Sequence, residues 1–485
     1  MKQFIIMLAL FVIPNIIMGQ TISGKIVDIN QNPIPYTVLQ IGPNYGVITN
    51  EEGVFTLDLD NFSALDKVSI SCLGYKSQDY ILSDFVLKTY VLIESVSELS
   101  EVFVTNRALT IEEILENVRL NISKNYPTDQ NQRVFMRETN NFNLKNFDFE
   151  LVKSTNLKRS KIKRLNKSID SIKGDLIGSK SSYYSDILFD LSKISDSSKI
   201  SVIKAVKLID KEKDLSTEAV NGQLIKTSLN LLDSTATYKL KSGLFTIEDS
   251  LKVGGFLNDK ANPKTDKTEN LKSQIYQIIK NNTLNENSKL DFLFEEKGYD
   301  YTIERITSIS DDAVYTISFK PKKRSSKYVG RLYVKASDFA VVKMEYQFAK
   351  NRTGQKLNLK FLMGVKYVEN AYKSTVIFKR NANETYDLQF IGQESGNYVY
   401  LDRSLKFIRN KMSEKDDKQS LKLKFMIEQN YKVKVEVFFI ENNNVADFNQ
   451  TDVYTIDYIL RYDTAIWKDY NVLSPVNAIL EYKTE

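Results

Sequence analysis

The chain has 485 residues, 42% hydrophobic content and a formal charge of +6, a length that allows about two to four domains and a charge too small and mixed to mark a nucleic-acid partner. It has no histidine, which excludes a Ser-His-Asp triad, a Cys-His dyad, imidazole-ligated zinc and a histidine proton shuttle. Cys72 is the single cysteine, so no intramolecular disulfide or thiolate cluster can form, and no cofactor is expected.

In chain order, Met1 to Gly19 carries Lys2, an apolar run from Phe4 to Ile13, Pro14 and a small residue at Gly19, the pattern of a secretory leader cut before Gln20. No cysteine stands near the cut to carry a lipid anchor. From Thr21 to Ile93, apolar residues alternate at Ile22 and Ile26, at Phe55, Leu57 and Leu59, and at Val68, Ile70 and Cys72. Each series is a half-buried strand. At its inward position Cys72 reads as a structural thiol rather than a nucleophile. Asn32 with Pro33, Asn50 through Gly53, and Gly74 mark the turns, the glycines being suited to positive φ. About six or seven short strands of this kind predict an antiparallel β-sandwich over residues 20–105.

Gly24, Pro33 to Tyr36, Thr49 to Phe55, and Gly74 with Tyr75 together resemble the carboxypeptidase regulatory-like domain, a transthyretin-like sandwich. In Bacteroidetes-type bacteria this domain fronts exported surface proteins, including TonB-dependent receptors. The resemblance implies a fold and a location in the periplasm, outer membrane or cell surface; it implies no catalytic residue. A zinc carboxypeptidase would need histidine ligands, so the accessory domain stands here without the peptidase.

Residues 106–289 read as a helix-containing connecting region. Leu99 to Thr105 is a short strand that in the similar proteins leads to the next domain. Thr110 and Glu113 form a capping box before the stripe Ile111, Ile114, Leu115, Val118 and Ile122, which predicts an amphipathic helix. The run from Ile114 to Asp129, ILENVRLNISKNYPTD, followed by VFMRET, resembles exported Bacteroidetes proteins in which the sandwich precedes an uncharacterised domain. Leu157 to Lys167 holds six basic residues in eleven, read as a solvated face or linker rather than a patch for anionic lipid or polysaccharide. Short helices are expected around Ser216 to Leu232 and a polar insert at Asn258 to Thr268. Leu271, Ile275, Ile278 and Ile279 predict a second amphipathic helix.

Residues 290–485 read as an antiparallel β-sheet domain. Alternation at Tyr315, Ile317 and Phe319, at Val342, Met344 and Tyr346, at Leu357, Leu359, Phe361 and Met363, and again from Leu421 to Ile427 and Val433 to Phe439 predicts about eight to ten strands of about five to seven residues. The fold class is therefore mainly β with some α: a sandwich, then an α+β domain on a meander. The segment YVGRLYVKASDFAVVKMEY is similar to lipoprotein-carrier-like proteins.

Asp28, Asn30 and Asn32 match the first ligand spacings of a calcium loop, but Pro33 and Leu39 replace its glycine and bidentate carboxylate, so no metal site is expected. Glu51 with Glu52, Glu295 with Glu296, and Asp311 with Asp312 point to opposite faces of a strand and cannot flank one bond. The candidate ligand-binding residues are aromatic: Tyr398 and Tyr400 on one strand face, and Trp467 and Tyr470 in the C-terminal stretch, against the background that such rings mostly pack sheets. The expectation is a non-enzymatic exported protein that binds or scaffolds an envelope protein, glycan or lipid, with peripheral membrane association. A lipid carrier with an apolar cavity and an outer-membrane barrel are the alternatives.

Overall fold

The computed structural model describes residues 21–42, 45–59, 62–86, 88–95, 109–127, 130–194, 197–209, 224–225, 227–243, 245–253, 265–309, 312–410, 419–440 and 450–482. The leader, the Leu99–Thr105 stretch, the front of the Ser216–Leu232 stretch, most of the insert after Asn258, and Asp311 lie outside them. The chain forms two units, Met1–Ser95 with Asp463–Val476, and Val96–Tyr462 with Asn477–Glu485.

The first unit contains β1 (Thr21–Val27), β2 (Val38–Ile41), β3 (Tyr45–Ile48), β4 (Val54–Asp58), β5 (Lys67–Ser71), β6 (Gln78–Ile81) and β7 (Thr89–Val91). They form two sheets, ordered β4-β1-β7 and β3-β2-β5-β6. Phe55 and Leu57, like Val68 and Ile70, point inward by alternation and join Ile26, Phe85 and Tyr90 in one core. All pairs are antiparallel as expected except β1 with β7, which run parallel. Gly53 has φ +74°, and a Cβ there would lie 2.4 Å from the Ile26 carbonyl oxygen, so position 53 of the Asn50–Gly53 turn admits no side chain. Cys72 is partly buried against the core. Asp28 is taken up by its own turn, accepting from the backbone N–H groups of Asn30 and Asn32, each at 2.8 Å.

This unit is closed by a segment that local sequence patterns do not assign to it. Asn50 is fully buried; its Oδ1 accepts from the N–H groups of Glu52 and Val54, both at 2.9 Å. Its side-chain amide donates to the Pro475 carbonyl at 3.0 Å. One asparagine thus satisfies both the turn and the returning C-terminal segment, where a lost partner would leave buried polar groups unpaired.

The second unit contains β8 (Gln130–Ser154), β9 (Lys180–Ile194), β10 (Ser197–Ile209), β11 (Thr237–Ser242), β12 (Phe245–Lys252), β13 (Thr265–Lys267), β14 (Tyr299–Ile309), β15 (Asp312–Pro321), β16 (Tyr328–Lys335), β17 (Val341–Phe348), β18 (Lys356–Leu359), β19 (Val365–Arg380), β20 (Tyr386–Arg409), β21 (Ser420–Ile440), β22 (Val453–Thr455) and β23 (Asp457–Ile459). Its helices are α1 (Ile111–Asn125), α2 (Arg159–Leu176), α3 (Thr268–Asn282), α4 (Asp291–Phe294), α5 (Lys360–Met363) and α6 (Asn477–Leu480). The main sheet runs β14-β15-β16-β17-β19-β20-β21-β8-β9-β10-β23. Among the described residues β14 and β23 do not pair with each other, so the sheet is open.

Two expectations need correction. The strands are not uniformly short: β8, β20 and β21 have 25, 24 and 21 residues, because the polar stretches read as turns, such as Glu428–Lys432, continue the ladder without a break in pairing. The open sheet order among the described residues is the observation that bears on barrel closure. Residue 290 is also no division of the sheet, since β8, β9 and β10 pair onto β21 within it.

The helices cover one face and one edge. The predicted capping box starts α1, with Glu113 N–H donating to Thr110 Oγ1 at 3.2 Å and Thr110 N–H to Glu113 Oε2 at 2.8 Å. The second amphipathic helix, α3, crosses the strands along one row of the register. Gln274 meets Glu138 of β8, while the buried Asn282 Oδ1 accepts from Tyr346 of β17 at 2.9 Å and Ser374 of β19 at 2.8 Å. The basic run forms the start of α2, with its six cations exposed and Ile162 in the core. Beyond the end of β9, α2 covers the free edge of β8: Asn166 Oδ1 accepts from Leu151 N–H at 3.0 Å and its amide donates to the Leu151 carbonyl at 3.1 Å. A side chain here replaces a neighbouring strand and blunts the edge.

Between the paired strands β8 and β9 lies a buried ion pair. Arg137 of β8 and Asp186 of β9 are register partners, with side chains only 1% and 2% exposed. The guanidinium donates through Nε to Oδ1 at 2.8 Å and through a terminal nitrogen to Oδ2 at 2.7 Å. Tyr462, just past β23, donates to Asp186 at 2.6 Å and accepts from Arg137 at 2.9 Å. Burial is the largest single influence and would pull the guanidinium down, but the Asp186 charge and hydrogen bond together with Tyr462 and Glu436 outweigh it and hold Arg137 above its ordinary value. Arg137→Met leaves a buried unpaired carboxylate and is expected to lower stability by about 3–5 kcal/mol. The double variant Arg137→Met with Asp186→Leu should recover part of that loss, because Glu436, buried opposite Arg137 on β21, keeps Lys434 but loses the guanidinium. Urea midpoints check both, and a single variant as stable as the parent would contradict the assignment.

Candidate functional site

Tyr398 and Tyr400 lie on β20, where pairing with β21 runs without a shift from Phe390↔Phe438 to Ile408↔Ser420. Unbroken alternation sends Leu421, Leu423, Phe425 and Ile427 into the core and the even-numbered residues to the opposite face. The two tyrosines share that second face, as their spacing predicts. Tyr398 donates to Glu428 Oε1 on β21 at 2.9 Å. Lys366 of β19 holds its Nζ 5.2 Å from the Tyr398 ring centroid, and Lys360 of α5 holds its Nζ 4.0 Å from that of Tyr400. Each ring is thus half-buried between the sheet and an ammonium group, an attractive arrangement for the ring quadrupole.

This geometry changes the chemistry the tyrosines offer. A bare ring face stacks on sugars, but these faces are occupied by lysines, so the strip presents cations backed by aromatic surface. Sequence reasoning does not single out Lys360, Lys366 or Glu428; only strand pairing brings them to Tyr398 and Tyr400. The i, i+2 spacing of Lys366 and Val368 beside β20 carries no local sign of it.

Next to the strip stands an apolar tip. The sequence alternation extends a strand through Phe361 and Met363, whereas β18 ends at Leu359 and α5 follows. The residue that ends this turn is Gly364, left-handed at φ +60°, and a Cβ there would lie 2.1 Å from the Asp402 carbonyl oxygen. A glycine just past a short apolar run is the signal available for this helical stop. Phe361 is fully exposed and Leu362 is 84% exposed.

Trp467 and Tyr470 belong to the other unit. Trp467 closes a 3-10 turn, Thr464–Trp467, begun by the Asp463 cap, and is only 4% exposed. Its ring meets Tyr470 edge-on at 6.3 Å. The four aromatic candidates therefore fall into two pairs, one in each unit, and Trp467 has a packing environment. Tyr462, in the same C-terminal stretch, serves the Arg137–Asp186 pair. Among the described residues no group of His, Cys, Asp and Glu side chains is arranged to hold a metal ion. An open hollow of about 490 Å³ lies beside Glu112, Glu116, Arg119 and Leu120 of α1, and Arg119 is committed to the Leu293 carbonyl at 3.1 Å.

Burial is the main cause that raises the phenols of Tyr346, Tyr367 and Tyr398 to about 12, with Glu428 adding to the effect at Tyr398. Burial also raises Tyr400, assisted by the Asp402 charge. A phenol whose folded value lies above its unfolded value of about 10 favours the folded state while protonated. That contribution is complete below about pH 10 and is lost as pH rises towards 12. Spectrophotometric titration should therefore show a class of tyrosines that ionises only in the alkaline unfolding range; ionisation of all tyrosines near pH 10 in the folded protein would contradict this.

No family model matches the chain, and no curated protein does. Among solved structures, the crystal structure of Pseudomonas aeruginosa OpdO is similar at 9% identity, covering 64% of this chain and 97% of that chain, with a TM-score of 0.10, too small a likeness to bear on fold or activity.

Proposed function

We propose that this is an exported, non-enzymatic protein that binds or scaffolds a component of the cell envelope, with a carboxypeptidase regulatory-like sandwich in front of its larger binding unit. The observation that carries this reading is the strip of Tyr398 and Tyr400 on β20, Lys366 on β19 and Lys360 on the adjoining α5. Rings held in register by long strands and covered by ammonium groups form a preorganised surface for an anionic or amphipathic ligand. The turn glycines Gly53 and Gly74, both at positive φ, and the seven-strand, two-sheet arrangement support the regulatory-like assignment of the first unit. The apolar leader at residues 1–19 supports export. The histidine-free sequence supports a binding role over acid-base or zinc chemistry.

The apolar face of the long strands favours scaffold over lipid carrier, because α2 and the Leu229–Leu232 segment fill it with side chains. The open sheet order favours a sheet over a closed barrel.

The binding surface is tested by Tyr398→Ala with Tyr400→Ala. Removing two central aromatic anchors should weaken binding of the purified protein to isolated envelope fragments by about tenfold or more, with the circular dichroism spectrum unchanged. Cell fractionation should place the parent chain in the envelope. Undiminished binding by the folded double variant, or a parent chain confined to the cytosol, would overturn the reading.

A further inference from the structure

The apolar tip beside the strip points to a more specific partner, resting on the envelope-binding reading. We infer that the Lys360–Met363 turn is a membrane-interface anchor, in which Phe361 and Leu362 enter the headgroup region of a bilayer and Lys356, Lys360 and Lys366 meet anionic lipid phosphates.

Three observations converge on this partner. Phe361 and Leu362 project from one turn and are the most exposed phenylalanine and one of the most exposed leucines among the described residues, although the same chain buries such side chains throughout its cores. The turn is held in place: Gly364 N–H donates to the Lys360 carbonyl at 3.0 Å, and Asp402 N–H to the Gly364 carbonyl at 2.7 Å. Only glycine fits at 364 against β20, so the tip is a built projection of the sheet.

The third observation is charge. From Asn351 to Val368 the chain has four basic residues, Arg352, Lys356, Lys360 and Lys366, and no acidic one. Arg352 is turned to the Arg324 and Lys323 carbonyls, which leaves three lysines around the tip. The nearest acids on the neighbouring strands are Glu369, Asp402 and Glu428; Glu369 is largely buried, accepts from Gln355 N–H at 3.0 Å and faces Lys289, and Glu428 accepts from Tyr398. An apolar wedge ringed by lysines suits an interface whose hydrocarbon boundary lies just beneath anionic phosphates. A phenylalanine buries roughly 150–250 Å², so two side chains fall well short of the roughly 800 Å² that each partner contributes to a stable protein interface. A bilayer needs no such area from one tip, because the lysine contacts add to the insertion.

Flotation of the full chain with vesicles of phosphatidylcholine, alone or mixed with phosphatidylglycerol, tests the inference. Binding is expected to the mixed vesicles, to fall steeply with salt, and to drop about fivefold for each of Lys356→Ala and Lys366→Ala. Phe361→Ser with Leu362→Ser should lose binding by at least about tenfold. A Phe361→Trp variant should be quenched by bromine-labelled acyl chains, which reports insertion independently of affinity. Neutralising the exposed lysines of the Leu157–Lys167 run should leave flotation largely intact. Failure of the parent to float with either vesicle, binding unchanged in the double serine variant, no quenching at position 361, or loss of binding only on neutralising the 157–167 run would each overturn it. Vesicle binding does not depend on where the cell sends the protein. A chain found in the envelope that ignores vesicles therefore sinks the anchor alone, whereas a cytosolic chain sinks the envelope reading alone.

Discussion

The second unit is organised around a charge pair that the sheet must keep dry. Arg137 and Asp186 lie opposite each other on β8 and β9, and removing two charges from water costs several kcal/mol per ion unless geometry and hydrogen bonds offset it. Here the guanidinium takes both carboxylate oxygens, and the Tyr462 hydroxyl closes the remaining gap. A one-residue slip between β8 and β9 would turn one partner to the opposite face and leave both uncompensated. The pair therefore fixes the register of the strands that join the early part of the chain to the later meander. Tyr462, shortly past the end of β23, ties that end of the strand to the pair.

Once that register is set, the long ladder of β20, β21 and β8 separates two faces along its length. One face is apolar and receives α3 near the middle and α2 towards the far end, where Asn166 takes over the edge of β8. The other buries the Arg137–Asp186 pair with Glu436 and Phe438 at one end and carries the half-buried Tyr398 and Tyr400 further along. The proposed binding surface is thus a consequence of strand length: short strands would have ended before presenting it.

Much of this is legible in the sequence where the signal is local. The Thr110–Glu113 capping box, the stripes of α1 and α3, and the turn glycines Gly53 and Gly74 each depend on residues within one turn of helix or one hairpin, and the structure has all of them. The pairing of Tyr398 with Tyr400 on one face follows from period-two alternation alone. What sequence patterns do not carry is long-range. Polar stretches such as Asn140–Asn143 and Glu428–Lys432 look like turns because their neighbours are not visible; in the sheet they pair with one another and extend the strands. Asn50 gives no local sign that it waits for Pro475. Lys360 lies far along the chain from Tyr400 and meets it only because Gly364 reverses the backbone. The Leu357–Met363 alternation misleads because its last four residues suit a strand and a helical turn equally, and the glycine that decides between them comes last.

Native-state hydrogen exchange tests the open sheet pinned at β8 and β9 most directly. Amides near Arg137 on β8, and those paired with them on β9 and β21, should exchange last. Amides of β14 that face away from β15 should exchange early, as expected of a strand with one neighbour. Protection of those outer β14 amides equal to that at the Arg137 row would mean that the edge is paired and the sheet closed, contradicting the account.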